Sequence, residues 1–161
     1  MIRPARPADA PAIAKLLNHW IETSAITFNP VPKTETDILE MIETKAAAGH
    51  AMFVAEDGGE ILGQASYGQF RAGVGYRTCM EHSIALAPGA KGKGLGRALM
   101  SAIEDHARKA GAHQMIAGVS GENAEGRAFH ERLGYRIIAT VPQAGFKFGR
   151  FMDLVLMQKF L

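Results

Sequence analysis

The stretch Ala87-Pro88-Gly89-Ala90-Lys91-Gly92-Lys93-Gly94-Leu95-Gly96-Arg97 follows an alternating apolar run and precedes an amphipathic helical run. Between Gly89 and Arg97 it holds four glycines and three cations. Glycines at a strand–loop–helix junction let backbone N–H groups turn toward one point, and the N-terminus of the following helix adds unpaired donors and a partial positive charge. The stretch therefore predicts a phosphate site, with a flexible strand-to-helix turn as the alternative.

Two nucleotide-binding patterns do not fit this stretch. A P-loop requires Ser or Thr after Gly-Lys, which is absent here, and the dinucleotide pattern G-x-G-x-x-G fails because Arg97 stands where the third glycine belongs. The spacing Lys91-x-x-Gly94-x-Gly96 is instead similar to the Gln/Arg-x-x-Gly-x-Gly/Ala loop of the GNAT acyltransferases.

The composition predicts one domain spanning residues 1–161, since the chain is 47% hydrophobic and has no low-complexity linker. No apolar run approaches the ~20 residues of a membrane span, and the first residues lack a signal peptide's apolar core. A single cysteine, Cys79, favours a reducing, cytoplasmic location. The net charge of +2 with mixed signs argues against nucleic-acid binding, and the six histidines form no close-spaced ligand cluster, so we expect no metal.

Hydrophobic periodicity and turn residues predict the element order β-α-α-β-β-β-α-β-α-β-β. The predicted strands are 2–5, 52–55, 61–67, 78–87, 114–119, 135–141 and 151–159. The predicted helices are 8–22, a second from its cap at Thr34 to Gly49, 97–109, and a short one capped by Asn123 and ended by Gly134. We expect an α/β (α+β) sandwich around a mixed sheet, with a basic-aromatic connection from Pro142 to Arg150.

The element order resembles the GNAT acetyltransferase fold over essentially the whole chain, which implies a mixed, mostly antiparallel sheet flanked by helices. Four further stretches resemble the phosphinothricin and methionine sulfoximine N-acetyltransferases: residues 18–24 (NHWIETS), 80–83 (MEHS), 129–135 (FHERLGY) and 145–150 (GFKFGR). Members of that subgroup move acetyl from acetyl-CoA to the α-amine of a small amino acid, and they are typically homodimers. The resemblance implies the same co-substrate, substrate class and assembly here.

The resemblance also implies which residues bind acetyl-CoA. The loop would hold the CoA pyrophosphate through Lys91, Gly92, Lys93, Gly94, Leu95, Gly96 and Arg97. The backbone of the preceding strand at Ile84 and Leu86 would pair with the pantetheine arm, while their side chains are expected to lie in the core. Asn123 would bond the same arm, cap its helix, or do both.

Two adjacent residues, Glu81 and His82, are candidates for the base that deprotonates the substrate's ammonium group. Neighbours on a strand point to opposite faces, so only one of them can face the reacting groups. The residues alone leave the choice open, and a charge on a solvated face is a further alternative. The resemblance selects Glu81 as the catalytic glutamate, acting directly or through water, and leaves His82 as a structural hydrogen-bonding residue.

His130 stands where many GNAT enzymes carry a tyrosine that protonates the departing thiolate, and it agrees with the phosphinothricin subgroup. The resemblance implies an acid or a cofactor contact, whereas the residues alone fit a histidine on a helix surface equally well. Because a thiol has a pKa near ~8.5, the thiolate can also leave without an acid.

Recognition of an amino acid requires cations for its carboxylate. Arg71 and Arg77 flank a short glycine-containing stretch just before the catalytic strand, and Arg77 is matched only in the methionine sulfoximine type. Phe28 and Tyr76 are expected to wall the side-chain pocket. Lys147, with Arg150, is expected either to reach the site across a dimer interface or to belong to a solvated basic hairpin.

Three hypotheses follow. The first is an acetyl-CoA-dependent N-acetyltransferase for a small amino acid such as L-methionine sulfoximine or phosphinothricin. The second is a GNAT acetyltransferase for protein N-terminal or other amines, which requires an open groove. The third is a CoA-binding regulatory module without catalysis, for which Glu81 would be dispensable.

Overall fold

Seven strands form one sheet flanked by four α-helices in the computed structural model, which describes residues 1–161. The strands are Ile2–Pro4 (β1), Met52–Asp57 (β2), Glu60–Gln69 (β3), Cys79–Leu86 (β4), Gln114–Ser120 (β5), Arg136–Lys147 (β6) and Arg150–Phe160 (β7). The α-helices are Ala10–Thr23 (α1), Glu35–Ala47 (α2), Leu95–Lys109 (α3) and Ala124–Arg132 (α4). The predicted order of elements and the mixed α/β class are confirmed.

The sheet has the order β1-β2-β3-β4-β5-β7-β6, and only β4 and β5 are parallel to each other. These two strands pair over just three residues each, from Cys79 to Glu81 on β4 and from Gln114 to Ile116 on β5. Both strands continue beyond that point without pairing to one another. The sheet therefore forks immediately after Glu81, and the facing backbone edges of the two strands are free.

The helices cover the two faces of the sheet. On one face α3 packs over β2, β3 and β4, burying Leu99, Met100, Ile103 and Ala107, which recur at helical spacing. On the other face α1 and α2 enclose a smaller core around Ile13. Each large apolar side chain buried in this way contributes ~1.5–3 kcal/mol. The two cores fix the positions of the elements on either side of the fork.

No helix of the structure is long and apolar enough to span a membrane.

The predicted connection from Pro142 to Arg150 is wrong. β6 continues to Lys147 and pairs with β7, so that only Phe148 and Gly149 form the turn. A bulge between Val141 and Gly145 accommodates the proline. Because residues 142–144 have no partner in the register with β7, the missing N–H of Pro142 costs no ladder hydrogen bond.

Candidate active site

A cavity of about 1350 Å³ lies at the fork. All six residues of β4 from Glu81 to Leu86 line it, so the cavity follows the part of β4 that is not paired with β5. At one end it reaches the glycine-rich loop and α4, and at the other it reaches α1 and the segment before α2. The cavity therefore joins the predicted phosphate loop to a separate, largely apolar pocket.

The glycine-rich loop has the backbone conformation that its composition predicts. Gly89, Gly92 and Gly94 have positive φ angles of 79°, 79° and 76°, a region that favours glycine. Gly96 lies in the first turn of α3, where a Cβ atom would be 3.1 Å from the Phe129 ring. The glycines thus let the loop turn and bring the start of α3 close to α4.

Nine of the ten residues predicted to bind acetyl-CoA line the cavity: Ile84, Leu86, Lys91, Gly92, Gly94, Leu95, Gly96, Arg97 and Asn123. Lys93 does not line it. The Lys91 ammonium pairs with Glu125 on α4, but both side chains are largely exposed, so this pair contributes little and can exchange for an anionic ligand.

Asn123 is the cap of α4, as predicted. Its side-chain oxygen accepts a hydrogen bond from the Gly126 N–H at 2.9 Å. Its amide nitrogen makes no hydrogen bond within the protein, so the cap leaves a free donor on the cavity wall. The two roles expected for Asn123 are compatible.

Glu81 is half-buried at the point where β4 and β5 separate. Its Oε1 atom lies 3.1 Å from where a Cβ atom on Gly118 of β5 would be, so glycine at that position leaves room for the carboxylate. The carboxylate has no ion pair, and burial raises its pKa. A carboxylate with a raised pKa is better matched to taking up a proton near neutral pH.

His82 points to the opposite face and contacts His130, with 3.1 Å between their Nε2 atoms. The Nδ1 atom of His130 lies 2.6 Å from the Gly126 carbonyl oxygen, to which it must donate. A neutral His130 then accepts at Nε2 from the Nε2–H of His82, which leaves the buried Nδ1 of His82 without a partner. Burial lowers the pKa of both rings, that of His82 to about 3, so both are neutral at pH 7.

The interpretation of His130 as a helix-surface histidine is wrong, because the residue is 5% exposed. It lines the cavity, but both of its ring nitrogens have partners inside the protein. Its role as an acid remains a prediction.

The pocket at the other end of the cavity, which we call the apolar pocket, is lined by Leu17, Trp20, Ile26, Phe28, Lys33 and Met41, among others. Phe28 therefore lies where the sequence predicts it. The Trp20 indole donates to the Leu86 carbonyl at 2.8 Å, which ties α1 to the end of β4. Because Trp20 fits the helical spacing of its apolar neighbours, its place in the cavity wall was not predicted from the sequence.

Two polar residues that line the cavity, Gln64 and Lys33, were not predicted from the sequence either. Gln64 lines the cavity from β3, and its buried Oε1 atom has no hydrogen-bond partner. The backbone of Lys33 is held on both sides by the Asn18 amide, which accepts from the Lys33 N–H at 2.7 Å and donates to its carbonyl at 2.8 Å. A polar residue in an apolar strand was a signal for Gln64, whereas nothing local marked Lys33.

The structure does not bring Arg71, Tyr76 or Arg77 to the cavity. All three are exposed on the segment between β3 and β4, where the Arg71 guanidinium lies 5.6 Å from the centre of the Tyr76 ring. This segment leaves the sheet at the Cys79 end of β4, whereas the cavity extends from Glu81 toward Leu86. Arg71 thus contacts Tyr76, and none of the three residues lines the cavity beside Glu81.

Lys147 does not line the cavity either, and the solvated-hairpin interpretation is wrong for it. The residue is 2% exposed, and its ammonium donates to the carbonyls of Ser24 at 2.7 Å and Thr27 at 3.0 Å. Arg150 is exposed and pairs with Glu122 of its own chain at 2.9 Å. Lys147 therefore contacts the wall of the apolar pocket instead of its interior. No group of three or more His, Cys, Asp or Glu side chains is placed to hold a metal ion.

Comparison with protein families and curated sequences gives a consistent result. Residues 14–135 match the model of the acetyltransferase (GNAT) family. The chain is 40% identical to the L-amino acid N-acyltransferase MnaT of Escherichia coli, covering 98% of this chain and 91% of that protein. It is 39% identical to the L-methionine sulfoximine/L-methionine sulfone acetyltransferase of Salmonella typhimurium (98% and 92%) and 33% identical to the phosphinothricin N-acetyltransferase of Alcaligenes faecalis (98% and 81%).

Solved structures with the same fold include three with high overlap. A ribosomal-protein-alanine N-acetyltransferase of Brucella melitensis superposes with a TM-score of 0.96 at 36% identity, covering 100% of this chain and 99% of that one. A putative acetyltransferase of Salmonella typhimurium with its cofactor acetyl-CoA gives 0.95 at 38% (100% and 93%). A phosphinothricin acetyltransferase of Sinorhizobium meliloti in complex with acetyl-CoA gives 0.95 at 32% (100% and 88%).

Proposed function

The chain belongs to the acetyltransferase (GNAT) family, and from this membership we propose that it transfers the acetyl group of acetyl-CoA to the α-amine of a small amino acid such as L-methionine sulfoximine or phosphinothricin. One observation carries the proposal. An unpaired, half-buried carboxylate, Glu81, lies at the fork of the sheet, in the cavity that joins the glycine-rich loop to the apolar pocket. The names of the relatives supply the substrate class.

The residues around the loop fit acetyl-CoA. Turned glycines and the N-terminus of α3 suit a pyrophosphate, and Arg97 adds a cation with no ion pair in the protein. The free edges of β4 and β5 and the free amide nitrogen of Asn123 suit the polar groups of the pantetheine arm. When bound, acetyl-CoA supplies an acetyl group activated as a thioester.

Glu81 would act on the amine before the acetyl group is transferred. The α-amine of a free amino acid is mainly protonated at neutral pH, so it cannot attack until it loses a proton. The Glu81 carboxylate, directly or through water, would accept that proton, a contribution of roughly 10²–10⁴-fold in rate. His130 would contact the cofactor, whereas assisting the leaving thiolate would require its Nδ1–H to leave the Gly126 carbonyl.

The apolar pocket would hold the amino-acid side chain between Phe28 and Trp20, and Lys33 would supply a cation on that side of the cavity. Arg71, Tyr76 and Arg77 lie outside the cavity of their own chain. Their contact with substrate would require a second subunit or a movement of residues 70–78. We therefore retain them, together with a homodimer, as part of the proposal.

The test is a thiol-release assay with acetyl-CoA across amino acids and their sulfoximine, sulfone and phosphinate analogues. We expect turnover with at least one sulfoximine or phosphinate analogue, and loss of most of kcat in Glu81→Gln with acetyl-CoA binding retained. Activity confined to other amines would overturn the substrate class. Full activity of Glu81→Gln would overturn the catalytic role and favour a CoA-binding module.

A second candidate substrate is the N-terminal amine of a protein. The observation in its favour is the 36% identical structure of the ribosomal-protein-alanine N-acetyltransferase of Brucella melitensis. Peptides with an N-terminal alanine, assayed beside free amino acids, separate the two candidates, since only the free amino acid has a carboxylate next to the reacting amine.

We further propose a cytoplasmic location, which the free thiol of Cys79 and the use of acetyl-CoA both support. Fractionation of cells producing the chain, with activity measured in each fraction, tests this location. Recovery of the activity outside the cytoplasmic fraction would contradict it.

A further inference from the structure

Residues 24–34, between α1 and α2, form much of the apolar pocket's wall, although they belong to no helix or strand. Short-range bonds shape the segment. The Ile26 N–H donates to the Ser24 hydroxyl, the Asn29 N–H to the Thr27 hydroxyl, and the Val31 N–H to the Asn29 side chain. None of these bonds connects the segment to the sheet. Its distance from β4 must therefore be set by contacts from another element.

One such contact comes from Lys147 on β6, 120 residues further along the chain from Thr27. Its ammonium bonds two carbonyls of the segment and lies 4.9 Å from the centre of the Phe148 ring, but no carboxylate pairs with it. A buried charge without a counter-ion is costly, and an apolar side chain of similar length would be the cheaper choice for packing alone. Packing therefore does not explain a lysine at this position, whereas the two hydrogen bonds from its ammonium to the Ser24 and Thr27 carbonyls do.

A second contact comes from Gly145, two residues earlier on the same face of β6. A Cβ atom there would lie 2.5 Å from the Phe28 ring, so the ring rests directly on the glycine backbone. The φ angle of Gly145 is not positive, so the backbone conformation does not demand glycine. Glycine is needed here because a larger side chain would occupy the space taken by the Phe28 ring, which lines the apolar pocket.

We infer that Gly145 and Lys147 are positioning residues that set the width of the apolar pocket and hence the size of the amino-acid side chain it accepts. Lys147 holds the backbone at Ser24 and Thr27, and Gly145 lets the Phe28 ring sit back against β6. The reading of the pocket as the amino-acid site rests on the proposed function, whereas the positioning of the segment does not.

The experiment compares the full-length chain with Lys147→Met, Gly145→Ala and the double variant Gly145→Ala/Phe28→Leu. Lys15→Met serves as the control, since Lys15 is an exposed lysine on α1 with no ion pair. Two readouts are used. Amide hydrogen exchange of residues 24–31 reports on the segment without requiring activity, and steady-state kinetics with amino acids of increasing side-chain length report on the pocket.

In Lys147→Met we expect exchange in residues 24–31 to accelerate on the order of tenfold, with the β-sheet amides unchanged, because charge-assisted hydrogen bonds to the segment are lost. The KM for the amino acid should rise about tenfold, while the KM for acetyl-CoA stays within about twofold. In Gly145→Ala the displaced ring narrows the pocket, so kcat/KM should fall about tenfold more for a long side chain than for a short one. The added Phe28→Leu change should restore that ratio.

Two results would overturn the inference. One is exchange in residues 24–31 that matches the Lys15→Met control when Lys147 is replaced. The other is a Gly145→Ala defect that Phe28→Leu does not relieve. If the unmodified chain acetylates no amino acid, the proposed function fails, and the exchange data alone decide whether Lys147 positions the segment.

Discussion

Glu81 differs from an ordinary surface carboxylate in that burial raises its pKa and no cation offsets the effect. A base works only when unprotonated, so Glu81 should be fully available as a base above this raised pKa, and activity should fall as the pH decreases through it. We therefore expect the acidic limb of kcat/KM to lie above the ordinary glutamate value of ~4.3.

Profiles of kcat/KM between about pH 5 and 9 check this expectation, with Glu81→Gln as the comparison. The variant should lose roughly 10²–10⁴-fold in kcat together with the glutamate limb, leaving only the titration of the substrate amine. An acidic limb that persists unchanged in Glu81→Gln would assign it to another group.

The His82–His130 pair makes a prediction about stability. Both rings titrate below the unfolded value of ~6.5 in the folded protein, so the unfolded chain binds more protons as the pH falls through that value. Their stabilisation is present above pH ~6.5 and is lost as the pH falls toward the folded values. For His82, whose pKa falls to about 3, the slope approaches ~1.4 kcal/mol per pH unit, and His130 adds to it in the same direction.

Urea unfolding at about pH 7.5 and 5.5 measures this loss. His82→Gln retains a donor for His130 but cannot titrate, so its free energy of unfolding should depend less on pH. His113→Gln, at an exposed histidine, is the control and should keep the original dependence. Equal pH dependence in His82→Gln and the unmodified chain would contradict the prediction.

At the scale of elements, the fork between β4 and β5 positions the Glu81 carboxylate against Gly118. Gly118→Ala places a methyl group 3.1 Å from Oε1 and should displace the carboxylate. A shift of ~1 Å in a reacting group costs up to ~10²-fold in rate, so kcat should fall by about 10–100-fold with the KM for acetyl-CoA nearly constant.

A double-mutant cycle tests whether this effect acts through Glu81. In a Glu81→Gln background, Gly118→Ala should have almost no further effect on kcat, because the group it displaces no longer acts as a base. Additive losses would show that the methyl group disturbs the cavity in another way.

The elements themselves were predictable because each has a local cause. The four glycines of the loop and the periodic apolar residues of α3 are visible in the sequence, as is the Thr34 cap of α2. The end of β6 was not predictable, because Pro142 and Gly149 are turn signals and only the pairing with β7 shows that a bulge absorbs the proline.

The candidate site was predictable where it follows the loop and β4, and not where it depends on tertiary contacts. Arg71 and Arg77 lie outside the cavity because the segment that carries them joins β4 at its Cys79 end, and the sequence does not show this. The burial of His130 depends on its packing against His82 and Tyr135. In the sequence Lys147 resembles an ordinary surface lysine, and only the structure shows that its ammonium binds the carbonyls of Ser24 and Thr27.

At the scale of the whole molecule, β6 is a long edge strand with an exposed apolar surface. Phe146 and Phe151 face each other across the hairpin, with 5.0 Å between ring centres, and are 57% and 64% exposed. Ile137, Ile138, Val141 and Phe148 are exposed on the same two-stranded unit. An exposed, apolar edge strand is an association hazard unless something covers it, and a second copy of the chain is the occupant that the resemblance implies.

We therefore expect the chain to behave as a homodimer, at twice its mass of 17.3 kDa, when light scattering is measured during size-exclusion chromatography. A stable interface buries ~800 Å² per partner, and its few apolar anchors carry most of the binding energy, so Phe146→Ser/Phe151→Ser should shift the mass toward the monomer. Phe160→Ser, at an equally exposed phenylalanine near the other end of β7, is the control and should remain dimeric. If Arg71 and Arg77 reach substrate across the interface, the monomeric variant should also show a raised KM for the amino acid with the KM for acetyl-CoA retained. A mass of 17.3 kDa for the unmodified chain at every concentration would refute the homodimer, and Arg71 and Arg77 could then reach the cavity only by movement of residues 70–78.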